Sequence, residues 1–243
     1  DTAQLAVKAY LYRLNPTFYQ RHFHSKHAWW DEDLEKETRS RLEATLSYQK
    51  TRTKIRVAFD DIKNYTYFSN QFTVTDSYYR KGNTVAVNQH AGNLSLLTLQ
   101  LSQDFTFGPL NWESVVTYQK SSNMSVLPLP DLNIYTNLYL RFMIAKVLRM
   151  DLGADARYFT KYDAPDYSPL LGQFVVQDHG EDNISIGGYP IVNVYANMHL
   201  KHTRFFVMMT HVNAGDGGNR FYVPHYPLNG MTLRLGLSWN FFN

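Results

Sequence analysis

Three histidines, His22, His24 and His27, fall close enough together to bring two imidazoles to one metal ion. No neighbouring carboxylate or cysteine completes a recognisable ligand set, and the chain has no Cys at all. The trio therefore reads as part of a solvated polar segment, with no metal expected. The run Gly215–Asn219, Gly-Asp-Gly-Gly-Asn, is a second candidate. A phosphate cradle needs a helix directly after its glycines, and no helical pattern follows, so the run reads as a turn. Asp163, Asp166, Asp178, His179 and Asp182 put acid–base groups into one stretch. A segment this polar holds such residues by composition alone, so no catalytic residue, cofactor or enzymatic activity is expected.

Charges that recur with a period carry more information. Arg39, Arg41, Arg56, Arg141, Arg149, Arg157, Arg204 and Arg234 share polar positions with Glu43, Asp60, Asp104, Glu113, Asp151 and Asp155. Oppositely charged neighbours on adjacent strands would brace a wall. The same residues could instead line a charged constriction that selects polar or anionic solutes.

The elements that position these charges are strands. From Met231 to Phe241 the odd residues are Met, Leu, Leu, Leu, Trp, Phe and the even ones Thr, Arg, Gly, Ser, Asn. Successive side chains of a strand point to opposite faces, so one face is apolar and the other polar. The same alternation runs through Leu97–Phe107, Leu148–Tyr158, Ser40–Tyr48 and Val192–Leu200. It predicts an all-β antiparallel chain of ten strands near 3–13, 38–49, 52–65, 92–107, 110–121, 131–145, 148–161, 189–200, 203–213 and 229–242. Two places break the pattern. Phe205–Met209 is a run apolar on both faces, as beside a plug, a loop or another subunit; Ile62 interrupts the series Ile55, Val57, Phe59 and marks a bulge or an exit into a loop.

Most of these strands exceed the usual globular length of about five or six residues, and a tilted membrane strand needs about nine to eleven. Tight connections at 49–52, 107–110, 146–148 and 200–203 alternate with long ones near 14–37, 66–91, 122–130, 162–188 and 214–228. Outer-membrane barrels join their strands by short periplasmic turns and long outer loops. Charge crosses the middle of the polar faces and almost never the apolar ones, as lipid contact demands. On the apolar faces Tyr48, Phe105, Phe107, Trp112, Phe142, Trp239 and Phe241 gather near the tight turns, with Tyr118 and Tyr158 toward the other end, the placement of an aromatic girdle.

Bulk numbers agree. The 243 residues are 44% apolar, yet mean hydropathy is −0.39 and no stretch approaches the about 18 apolar residues of a membrane helix. The net charge of +3 comes from scattered Lys and Arg, which argues against a nucleic-acid partner. No composition break marks a second domain, so 1–243 is read as one outer-membrane β-barrel domain.

The segment Leu233–Asn243 resembles the terminal strand of outer-membrane proteins, which the barrel-assembly machinery reads. Four further stretches resemble the putative porin family of Bacteroidota: Asn15–Tyr19 with His24–His27 and Trp30-Asp31; Asp163–Pro169; Arg204–Val207; and Tyr222–Leu228. Family members are longer, so the resemblance implies a C-terminal portion of a larger barrel. It also implies lipid bilayer and lipopolysaccharide as surroundings; with the tight turns periplasmic, the last strand ends on the periplasmic side. The expected function is a porin-like channel for passive diffusion of small polar solutes, through a lumen lined by the charged residues above. The alternative is an accessory or structural barrel within a larger outer-membrane secretion, assembly or nutrient-uptake complex, bound to other outer-membrane subunits.

Overall fold

A computed structural model of the chain describes residues 2–74, 80–215 and 220–241, and side-chain environments outside 71–83. Ten long strands form one antiparallel meander: β1 (Ala3–Leu14), β2 (Glu37–Tyr48), β3 (Thr53–Lys63), β4 (Asn93–Phe107), β5 (Leu110–Ser121), β6 (Leu132–Ile144), β7 (Leu148–Phe159), β8 (Ile191–Leu200), β9 (Thr203–Thr210) and β10 (Thr232–Trp239). Each pairs with the strands before and after it, and β1 and β10 are the two edges. The wall is thus open among the described residues. The expected strands are all present, and the last two contract most. At β9 the chain stops pairing because His211 takes a φ of +55° and its N–H turns to Asn193 Oδ1 at 3.0 Å.

The tight turns have local causes. Phe107 and Leu110 face each other across Gly108-Pro109. Gly108 supplies a φ of +59°, and the ring of Pro109 suits the next position, as a two-residue hairpin turn of the II′ kind requires.

Burial is inverted relative to a water-soluble sheet. On β7, Leu152 is 47% exposed while Asp151 and Asp155 beside it are 8% exposed. Leu42, Leu99, Leu138 and Leu235 are likewise exposed on the apolar face of their strands. Apolar surface contiguous over this many strands exceeds what a monomeric soluble protein leaves in water. Two hydroxyls in the middle of this face are satisfied internally: Trp112 Nε1 donates to Thr136 Oγ1 at 2.8 Å, and Ser114 Oγ lies 3.0 Å from the same oxygen. A face in hydrocarbon has no water to do this.

The buried apolar clusters lie elsewhere. Ile62 packs with Leu94 and Val126 on the polar side of the sheet, where the third long connection folds over it. The β3–β4 register runs unbroken from Thr53 to Lys63, so Ile62 marks no bulge; it is apolar because a loop covers it. The long connections also carry strands of their own. Asp166–Ser168, Gln173–Gln177, Thr66–Val74 and Arg80–Gln89 make a four-stranded sheet, with Val176 and Gln177 paired in parallel to Ser69 and Asn70. Trp30, Phe68, Val87 and Val175 form its core, so the first, second and fourth long connections fold as one packed unit. Asp166, 3.6 Å from His225 Nε2, ties the fifth to it.

Candidate solute-facing surface

All fourteen charged residues expected to line a lumen stand on the polar face, because the cross-strand register keeps their parity from strand to strand. Arg41 lies directly opposite Asp60 and reaches it at 3.2 Å, while its other terminal nitrogen meets Glu43 at 2.8 Å. Arg56 approaches the same Glu43 at 3.9 Å. Arg39 pairs with Glu37 along its own strand and lies over the Tyr65 ring. Farther along, Arg141 grips Asp151 with two bonds, 2.8 and 3.0 Å, in the fork geometry that only guanidinium provides. Asp155 accepts from Asn193 at 2.9 Å, Glu113 from the Tyr139 hydroxyl at 2.8 Å, and Arg157 lies over the Tyr135 ring.

Opposite-charge bracing is not universal. Asp104 and Glu113 are direct cross-strand neighbours of the same sign, a pairing that opposes the sheet rather than bracing it. Arg149 and Arg234 make no ion pair or hydrogen bond among the described residues.

Two glycines let rings settle into this face. Gly153 sits between Tyr139 and Tyr195 on the strands to either side. A Cβ there would stand 2.5 Å from Tyr139 Cβ, 2.8 Å from the Leu138 carbonyl and 2.9 Å from the Tyr195 hydroxyl. The Tyr195 side chain thereby reaches Asn137 Oδ1 at 2.8 Å. Gly236 stands opposite Phe206, whose ring fills the place of its missing side chain. This accounts for Phe206 within the doubly apolar run at Phe205–Met209: its ring packs on the wall itself. Between these rings lies a recess of about 620 Å³, lined from the wall by Asn137, Asn193, Asn197 and Arg234 among others, and from the fifth long connection by Tyr222 and Asn229.

A comparison with protein families matches the whole chain, residues 1–243, to the family described as "Putative porin". The chain belongs to this porin family. A comparison with curated proteins found no match. Among solved structures, the porin chain is similar to the copper transporter OprC (14% identity, TM-score 0.68, covering 98% of this chain and 38% of that one). It is also similar to the FrpB iron transporter of Neisseria meningitidis, F3-3 variant (15%, 0.61, covering 97% and 36%), and to the siderophore receptor PirA of Acinetobacter baumannii (13%, 0.61, covering 98% and 39%). At such identities the likeness is one of fold: the porin chain has the wall of an outer-membrane β-barrel. It spans under two fifths of those structures' length.

The other candidates in the porin chain resolve into structural roles. His22–His24 pairs with Trp29–Asp31 as a short hairpin. A carboxylate does join two of the histidines: His22 Nδ1 and His24 Nε2 lie 2.5 and 3.2 Å from separate oxygens of Asp31. The bond from His22, with help from His24, holds the Asp31 carboxyl below the usual aspartate range. No group of three His, Asp or Glu among the described residues is arranged to hold a metal ion. Asp163 accepts from Ser185 and Asn183, and Asp166 accepts from the Tyr167 N–H at 2.8 Å. Asp216–Asn219 of the glycine run lie outside the described residues. On the apolar face Phe105 packs against Phe107 and Trp112, and Trp239 stacks on Phe241; Tyr48 and Phe142 stand near their own tight turns.

The residues that sequence reasoning missed are uncharged. Asn137, Tyr135 and Tyr195 occupy the same parity as the charges, and that parity was the available signal. Neutral amides and phenols carry no charge to mark them out along a strand.

Proposed function

We propose that this porin chain forms part of the wall of an outer-membrane channel through which small polar solutes diffuse passively. The inverted wall carries the reading: charged and amide side chains cover one face of the sheet, and apolar side chains stand exposed on the other. The long connections fold onto the polar face, consistent with its being the lumen. The similar solved structures are transporters and receptors of the outer membrane, and a passage across it is what they have in common with this reading. In the bilayer the aromatics near the tight turns sit at one interface, lipid and lipopolysaccharide surround the apolar face, and the C-terminus lies on the periplasmic side. The barrel-assembly machinery reads β10, and strands beyond those described complete the wall beside β1 and β10.

The test is single-channel recording. Full-length protein, purified folded and placed in planar bilayers, should show stepwise ion conductance without any energy source. A folded protein that is reproducibly silent would sink the channel reading.

A second reading rests on the packed unit of long connections, whose buried core gives a partner a rigid surface to engage. On it the chain is a structural subunit of a larger outer-membrane assembly. Native purification from membranes separates the two: a stable heteromeric complex supports this reading, and a lone protein refutes it.

A further inference from the structure

We infer that the inner surface of β8–β10 is an anion-binding strip, and that its recess takes a small organic carboxylate or phosphate ester. This rests on the lumen reading above and names the solute class for one part of it. The carboxylates of the polar face lie on β2–β7, where Arg41, Arg56 and Arg141 are engaged by them. Beyond Asp182 the sequence holds one further Asp or Glu, Asp216, which lies in the last long connection. The polar faces of β8, β9 and β10 therefore carry Arg204, Arg234 and His199 with no acid among them.

The recess reaches from β6 and β7 across this strip. Arg157 borders it on β7, Arg234 on β10 and Arg204 nearer the tight turns. Asp155 is its single lining carboxylate, 8% exposed and engaged by Asn193. Among the described residues Arg234 has no partner, and Arg204 meets only neutral groups, the Asn197 side chain at 3.2 Å and the Phe206 ring beneath it. A guanidinium with free donors in a water-filled concavity recognises carboxylate or phosphate oxygens by charge and by paired N–H bonds. One-signed charge inside a low-dielectric wall also concentrates the opposite ion. The Phe206 ring, held over Gly236, and the Tyr195 ring offer apolar edges for the body of the solute, so the site suits an organic anion better than a bare inorganic one.

The experiment uses the full-length protein in detergent. Glucose 6-phosphate, gluconate and glucose are titrated by calorimetry against the native protein and the variant R204Q/R234Q. Heat-modifiable migration on gels shows that each is folded. The two anions should bind, glucose should bind at least about tenfold more weakly, and the double variant should lose that preference. Binding by one anion alone assigns the site to phosphate or to carboxylate. Equal binding of all three, no binding, or anion binding unchanged in the variant would overturn the inference. Conductance distinguishes this failure from that of the channel reading. An open channel without anion binding removes the strip and leaves the channel, while a silent barrel that binds the anions does the reverse.

Discussion

The ring of Phe206 occupies the space where a side chain of Gly236, directly opposite on the next strand, would begin: a Cβ there would lie 2.1 Å from Phe206 Cε1 and 2.3 Å from Cζ. Gly236 takes an ordinary strand conformation, so its value is space. G236A should destabilise the barrel by about 1–3 kcal/mol, the usual cost of overpacking. Shortening the obstructing ring should restore most of it, so G236A/F206L should unfold in urea close to the F206L protein. Gly153 should behave differently. The atoms that crowd it include the Leu138 carbonyl and Tyr139 Cβ, which cannot swing away, so G153A should not be rescued by Y195F.

Arg141 and Asp151 form the strongest pair on the polar face by geometry. Arg141 is about half exposed, so the pair is partly hydrated and its worth is moderate. R141Q leaves a nearly buried carboxylate with poorer partners and should cost about 1–3 kcal/mol. A double-mutant cycle with D151N, read by urea denaturation in detergent, should give a coupling of about 1 kcal/mol or more; independent effects would show that the fork adds nothing.

Leu99 lies near the middle of β4 on the apolar face, and Gln100 beside it faces the other way. If the apolar face meets lipid, L99R should cost about 2–4 kcal/mol and lower the yield of folded protein, while Q100R should cost far less. Folding into lipid vesicles, followed by the gel shift of the folded form, reads both. Equal tolerance would contradict the assignment of faces.

Asp31 supplies the pH dependence of the first long connection. Its folded pKa is depressed, first by the bond from His22 and further by His24. A depressed carboxyl contributes stability that is complete above the ordinary aspartate range and is lost as pH falls through the folded value. Acid should therefore loosen the hairpin that carries Trp29 and Trp30, and a tryptophan-fluorescence titration should show a low-pH step. In D31N the step should vanish, with the neutral-pH spectrum already shifted toward the loosened form.

The ten strands were legible because lipid imposes an alternation that survives in the chain as text: Met231, Leu233, Leu235, Leu237 and Trp239 against Thr232, Arg234, Gly236 and Ser238. The strands of the long connections were not legible, although Thr66–Val74 and Arg80–Gln89 are as long as β9 or β10. They bury their apolar residues against segments far away in the chain, Trp30 and Val175 among them, so no local period reports which side is covered. Ile62 shows the same limit at one residue: its apolar character had a cause, Val126, that lies on another connection.

By itself the sequence determined the all-β class, the number of wall strands and which side chains share a face, because strand parity is a local property that one residue type after another must obey. Only the tertiary structure decided how those faces are used. It showed which charges meet as Arg41–Asp60 and Arg141–Asp151, which face each other as like charges at Asp104 and Glu113, and which stand alone among the described residues, as Arg234 does. Register between strands sets these relations, and register depends on pairings between residues distant in the chain. The Tyr195 and Phe206 rings that line the recess are placed in the same way, by two glycines whose absent side chains matter only when a neighbouring strand brings a ring across them.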